Sequence, residues 1–180
     1  MVAVESKKEP LVLESVFAFL VFELAKALYC IRVEDVREII TGISIYRVPG
    51  SPSYLSGVTN LRGRVLPIID LRKRFRFEEI GFNNGRECFV VLAIQGEEGL
   101  LEFGISVDAV CEVARIRPSQ IDTAPSVNSF GDLLVFNGVV HTPTGLRLIL
   151  DTRSLVSQLQ QDIQSIRPSP NDAILNYATK

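Results

Sequence analysis

No tryptophan, one methionine and one histidine stand among these 180 residues. The lone His141 leaves no second imidazole for a metal centre, and no HExxH pair of ligands occurs. The phosphate-cradling run GxxxxGK[ST] and the dinucleotide run GxGxxG are missing too. The three cysteines, Cys30, Cys88 and Cys111, are odd in number and widely spaced. Without a CxxC they form neither a disulfide framework nor a zinc site. Each has apolar neighbours, and each is expected as a small buried hydrophobe. No apolar run approaches the roughly 18 residues that cross a bilayer, and the opening MVAVESKKEP lacks the basic-then-apolar plan of a signal peptide. A cytoplasmic chain without direct membrane insertion is expected. Strong basicity is absent as well. With 19 Lys and Arg against 21 Asp and Glu, the net charge is −2. That balance argues against a general nucleic-acid binder.

What is present is a folding composition, 47% hydrophobic and 22% charged. Short β-branched or aromatic segments bounded by Gly, Pro or Asn dominate it. They cover 16–24, 28–33, 64–71, 87–95, 101–107, 133–142 and 145–150. Such spacing predicts barrels or a sandwich. One turn of helix is expected at 52–56. A longer helix is expected after Asp151 or Thr152, where Leu155, Val156, Leu159, Ile163 and Ile166 recur at helical spacing. Arg167-Pro168-Ser169-Pro170 ends it. The first dozen residues read as a tail.

The chain also repeats itself. Tyr29-Cys30-Ile31-Arg32-Val33-Glu34-Asp35-Val36-Arg37-Glu38-Ile39 lies over Phe103-Gly104-Ile105-Ser106-Val107-Asp108-Ala109-Val110-Cys111-Glu112-Val113, 74 positions on. Both read aromatic-x-Ile-x-Val-x-x-Val-x-Glu-aliphatic. Ile68-Ile69-Asp70-Leu71-Arg72 likewise lies over Ile149-Leu150-Asp151-Thr152-Arg153, 81 positions on. Two matches in the same order make duplication the better reading. Tyr29, Ile31 and Val33 alternate as a strand. Val33, Val36 and Ile40 then follow at helical spacing, so the strand is expected to run into a short helical turn. Two such units packed together would leave a groove for a partner segment.

Candidate chemistry is thin. Asp70 and its counterpart Asp151 both end an apolar strand, which fits a turn or a helix cap better than acid–base work. Neither Glu38 nor His141, the latter read as a hairpin tip, belongs to a catalytic constellation. Charge is uneven. Residues 62–76 hold six cations and one acid, a net of +5 against −7 elsewhere. A solvated face is the plain meaning of that run, and contact with an acidic protein is the functional one. The alternative is a small β-barrel nucleic-acid-binding protein using segment 62–76, although only Phe75 offers a stacking ring there.

One stretch is distinctive. Val48-Pro49-x-x-Pro52-x-Tyr54-Leu55-x-Gly57-Val58-Thr59-Asn60-Leu61-Arg62-Gly63-x-Val65-Leu66-Pro67-Ile68-Ile69-Asp70-Leu71-Arg72 closely resembles the signature of the CheW family, coupling proteins of bacterial chemosensory arrays. Phe22-x-Leu24, Ile31-x-Val33-x-x-Val36-x-Glu38-Ile39, Gly104-Ile105-x-Val107-Asp108-x-Val110 and Leu148-Ile149-Leu150-Asp151 agree with it. The likeness runs from about Val16 to Leu159.

The resemblance implies a mainly β fold, with two SH3-like five-stranded barrels around a shared core and a short C-terminal helix. The expected organisation is a tail at 1–12, a CheW-like domain at 13–160 and an extension at 161–180. The two repeats would cover 13–84 and 85–160, with terminal elements able to cross over. The resemblance further implies a non-catalytic adaptor without cofactors, serving swimming chemotaxis or a pilus pathway. Its partners would be a CheA-type histidine kinase, met through that kinase's CheW-like regulatory domain, and the signalling tip of a methyl-accepting chemoreceptor. No nucleic acid is expected as a partner. The adaptor would be recruited to membrane-associated receptor arrays. Val36, Glu38, Asn60, Arg62 and Gly63 fall where the family contacts receptors. Val107, Asp108, Val110 and Glu112 fall on the kinase-facing surface. Arg62 and Glu38 are expected to pair at the groove mouth. Three stretches depart from the family pattern: a longer loop at 95–101, the segment 119–132, and the residues after the helix.

Overall fold

The computed structural model describes residues 15–77, 88–96, 99–122, 135–143 and 145–166. The expected tail at 1–12, most of the variable stretch 119–132 and all residues after 166 lie outside the described residues. In chain order the strands are β1 (Phe17–Leu24), β2 (Ala27–Arg32), β3 (Val36–Thr41), β4 (Leu55–Leu61), β5 (Arg64–Asp70), β6 (Cys88–Gly96), β7 (Gly99–Val107), β8 (Ala109–Ile116), β9 (Ile121–Asp122), β10 (Phe136–Thr142) and β11 (Gly145–Leu150). The helices are α1 (Leu71–Arg74) and α2 (Thr152–Ile166), so α2 runs through the boundary expected at 160. Among the described residues no helix is long and apolar enough to cross a membrane.

Two sheets result. One has the order β3-β6-β7-β5-β4, the other β8-β1-β2-β11-β10-β9. The same order underlies both once β6, β7, β5, β4 and β3 are matched with β1, β2, β11, β10 and β8. Each sheet draws strands from both halves of the chain. The first copy's β3 pairs with β6, and the second copy's β8 pairs with β1. The registers repeat as well. Ile68 lies beside Gly104 in the parallel pair β5–β7, and Ile149 lies beside Cys30 in β11–β2. A bulge falls between Val36 and Glu38 on β3. Its counterpart falls where Val110 and Glu112 face Phe22 and Val21.

Both sheets curl. β8 and β9 are the two edges of the six-stranded sheet, yet only residues 117–120 separate them in the chain. A flat sheet would hold those edges about 24 Å apart, at about 4.8 Å per strand. The chain from Ile116 to Ile121 reaches at most about 18 Å. In the five-stranded sheet a bridge from Tyr46 to Val58 does the same work, with both N···O distances 2.8 Å. Tyr46 is thus the one-residue counterpart of β9.

The core has three parts. Phe22, Leu24, Ile31, Leu92, Phe103, Ile105 and α2's Leu155 belong to a central cluster that both sheets share. Leu66, Ile68, Phe89 and Val91 fill the first sheet's concave face. Phe19, Val21, Cys30, Ile116, Val140 and Ile149 fill the second's. This follows from period-2 alternation. Ile69 and Leu71 point to the shared core while Leu66 and Ile68 point into their own sheet. Each fully buried Phe or Leu contributes about 1.5–3 kcal/mol.

Several expectations need correction. The expected short helical turn is present as a 3-10 turn at Val33–Asp35, but it ends there and the chain re-enters a strand. Val36 and Ile40 therefore sit on β3 rather than on a helical turn, because edge pairing with β6 outweighs a weak spacing signal. Residues 52–55 close a turn rather than a helical one, with Leu55 N–H donating to Pro52 O at 3.0 Å, and Leu55 opens β4. Most of the supposed loop at 95–101 is strand, with Gln95 opposite Leu100 and Gly96 opposite Gly99. Cys30 is buried, but Cys88 is only partly so and Cys111 is exposed. Cys111 is the bulge residue of β8, and a bulge re-aims its side chain.

Candidate functional site

The β4–β5 hairpin carries the distinctive sequence. Leu61 faces Arg64, which leaves Arg62-Gly63 as a two-residue loop. Both residues have positive φ, 53° and 84°. That is the type I′ geometry whose twist matches paired strands, with Gly favoured at the second position. Asn60 Oδ1 accepts the Gly63 N–H at 2.8 Å and closes the turn. Asn60 and Gly63 therefore build the turn, and Arg62 is what it displays. The Arg62 side chain is 77% exposed and its Nη2 lies 3.2 Å from Glu38 Oε2. Glu38 is 19% exposed. The expected pair exists, and it joins the two edge strands of the curled sheet. Glu102 Oε2 accepts from Arg64 Nη1 at 2.6 Å, while its Oε1 meets Arg37. Three arginines and two glutamates thus surround this end of the sheet. Val36 packs against the shared core and is structural.

The second set of predicted residues divides as well. Val107 is buried. Asp108 is fixed on two sides. Its Oδ2 accepts the Ala25 N–H at 2.8 Å and its Oδ1 pairs with Arg72. Ala25 and Lys26 form the tight β1–β2 turn, both with positive φ, so Asp108 anchors a strained turn. Val110 packs on the shared core, as Val36 does. Glu112 alone is turned outward, at 53% exposure, and its Oε1 lies 2.7 Å from Arg147 Nη2. Sequence reasoning passed over Arg147. The signal was there: it is a cation inside the apolar strand GLRLIL.

The 62–76 cations do not form one face. Arg62 and Arg64 stand at the start of β5, and Arg72, Lys73 and Arg74 stand beyond its end, about 20 Å away at roughly 3.3 Å per residue. Lys73 Nζ pairs with Asp70 Oδ2 at 3.5 Å, and Arg74 Nη2 donates to Gln158 at 2.9 Å. Asp70 Oδ1 accepts the Lys73 N–H at 3.2 Å and caps α1. Asp151 Oδ1 does the same for Ser154 on α2, at 3.1 Å. Capping, not acid–base work, explains both. A groove of about 540 Å³ opens at this end, floored by Ile45, Leu55 and Phe89 and rimmed by Arg47, Lys73 and Asp108.

His141 lies on β10, its Nε2 2.9 Å from Asp122 Oδ2, with both side chains exposed. No group of three or more metal-ligating side chains occurs among the described residues. Burial pushes the Cys30 thiol up to about 11, with Arg147 lowering it and Glu112 raising it by smaller amounts. A thiol held that high is a poor nucleophile at neutral pH.

Comparison with known proteins places this geometry. The CheW-like domain model matches residues 18–160. The chain is 30% identical over 144 residues to the chemotaxis protein CheW of Treponema pallidum, covering 78% of this chain and 82% of that protein. It is 32% identical over 123 residues to the chemotaxis protein CheW of Helicobacter pylori, covering 68% and 72%. The crystal structure of the scaffolding protein TtCheW from Thermoanaerobacter tengcongensis superposes with a TM-score of 0.69 at 31% identity, over 78% of this chain and 92% of that one. The family is one of non-catalytic scaffolds, which does not favour the nucleic-acid alternative. By match, identity and fold, the chain belongs to the CheW-like family.

Proposed function

We propose that this chain is a non-catalytic adaptor that couples chemoreceptors to a CheA-type histidine kinase in a bacterial chemosensory array. The observation that carries the reading is the Glu38–Arg62 pair, in which a tight hairpin displays an exposed arginine and a sheltered glutamate steadies it. A surface pair of this kind adds under about 1 kcal/mol to stability. Its use is to orient a guanidinium towards a carboxylate-bearing partner. The receptor tip is assigned to this end, with Arg62 and Glu38 as contacts and Asn60 and Gly63 shaping them; Val36 supports the strand from behind. The kinase regulatory domain is assigned to the second sheet at Glu112, with Val107, Asp108 and Val110 holding that strand in place. Recruitment to membrane-associated arrays then follows from binding the receptor.

Reconstitution tests this. The full chain, a CheA-type kinase and a receptor signalling-tip fragment are expected to form a ternary complex. Arg62→Ala is expected to weaken receptor binding about tenfold, equivalent to about 1.4 kcal/mol, with kinase binding unchanged. Absence of a ternary complex would overturn the reading. Intact receptor binding by a folded Arg62→Ala chain would overturn the role of Arg62.

A further inference from the structure

The two copies keep their glutamate but draw its partner from different places. Glu38 and Glu112 occupy the same position after equivalent bulges, opposite Val91 and Val21. Both therefore face the concave side of their own sheet. In the first copy the cation comes from the hairpin loop, at Arg62. The equivalent loop position in the second copy is Pro143, which carries no charge. There the cation comes from within the sheet, at Arg147, opposite Val140. The matching first-copy position is Leu66, opposite Thr59 and 3% exposed. An arginine thus stands where the fold elsewhere places a core leucine.

The arrangement turns the pair around. Arg62 is 77% exposed above a Glu38 that is 19% exposed. Arg147 is 14% exposed beneath a Glu112 that is 53% exposed. Arg147 Nε is buried with no hydrogen-bond partner among the described residues, and such an orphan donor costs stability. A leucine would fill this site without that cost, so packing alone does not account for the arginine.

We propose that Arg147 is a positioning residue that holds Glu112 as an outward-facing anion, so that the second sheet meets its partner through a basic side chain on that partner. This rests on the assignment of the kinase to that surface. The first copy displays a cation and the second an anion from one inherited strand-bulge-glutamate unit. The two sheets thereby select partners of opposite charge, which is a basis for telling them apart.

The test uses the full chain and a purified CheA-type kinase, titrated at low and moderate salt, with a receptor-tip fragment titrated in parallel. The variants are Glu112→Gln, Glu112→Lys, Arg147→Leu and Arg147→Lys. Arg147→Leu places at this position the residue its counterpart already has, and thermal unfolding is measured to check that it folds. Kinase affinity is expected to drop about tenfold in Glu112→Gln and in Arg147→Leu. Both should lose most of the salt dependence seen with the parent, receptor binding should stay within about twofold, and Arg147→Lys should recover part of the loss. A folded Arg147→Leu chain with parental kinase affinity and salt dependence overturns the inference and leaves the adaptor reading standing. Tighter kinase binding by Glu112→Lys overturns the partner's charge. Failure of the parent chain to bind the kinase at all overturns the assignment of the surface, and this inference with it.

Discussion

The first copy is apolar where the second is charged, and the difference sits at one residue pair. Thr59 and Leu66 face each other across β4–β5; Val140 and Arg147 face each other across β10–β11. The pairing register around both is the same, down to the bulge before Gly57 and Gly138. Duplication supplied a scaffold in which one glutamate per copy needed a cation. The first copy drew it from a loop and left it exposed, and the second drew it from the core and exposed the glutamate instead. A change of partner required a change of side chains, not of fold.

The sharpest way to break the comparison is to exchange the pair. Leu66→Arg would bury a cation without the geometry that serves Arg147, and is expected to cost about 3–5 kcal/mol in denaturant unfolding. Loss of less than about 1 kcal/mol would mean that the first sheet tolerates an internal cation as readily as the second.

Next come the paired glycines. A Cβ on Gly57 would lie 2.2 Å from the Tyr46 carbonyl oxygen, at a φ of +144°. A Cβ on Gly138 would lie 2.7 Å from Ile121 Cγ2 and 3.2 Å from Asp122 O, without positive φ. Gly57→Ala is therefore expected to cost about 3 kcal/mol or more, and Gly138→Ala about 1–3 kcal/mol. Equal costs by urea unfolding would show that the β9 contact is as rigid as the Tyr46 bridge.

The hairpin tips should differ by less. Asn60→Ala removes the acceptor for Gly63 N–H and is expected to cost about 1 kcal/mol. His141→Ala, at the matching position, breaks only an exposed contact with Asp122 and is expected to cost under about 0.5 kcal/mol. Thermal unfolding of the two variants ranks them.

The last effect is a pH dependence confined to alkaline solution. Cys30 is raised from 9.0 to about 11, so the folded chain holds this proton more tightly than the unfolded one. The associated stability is fully present below pH 9 and is lost as pH rises towards 11. Cys30→Ala is expected to flatten the fall of unfolding free energy across that window, with no change of slope at pH 7. Gly104 takes the matching place in the first sheet, so that sheet has no thiol at this position.

Much of this was legible in the sequence because it is local. Strand alternation and the caps at Asp70 and Asp151 depend on neighbours a few residues apart. The Asn60–Gly63 turn obeys the same local rules, whereas Arg62 is singled out in the sequence only by the family resemblance. Val36–Ile40 was misread because period 3.6 and period 2 are hard to separate over five residues, and only the β6 edge decides between them. Cys111 was misread because its apolar neighbours say nothing about a bulge.

By itself the sequence determined that one strand-turn unit occurs twice and that its glutamate recurs. Only the tertiary structure decided that the copies exchange strands, β3 joining β6 and β8 joining β1. It alone brought Arg147 to Glu112, 35 residues away in the chain. Alternation and turn chemistry are properties of adjacent residues. The choice of which strand a strand lies beside is made by the shared core, where packing of residues far apart in the chain sets the answer.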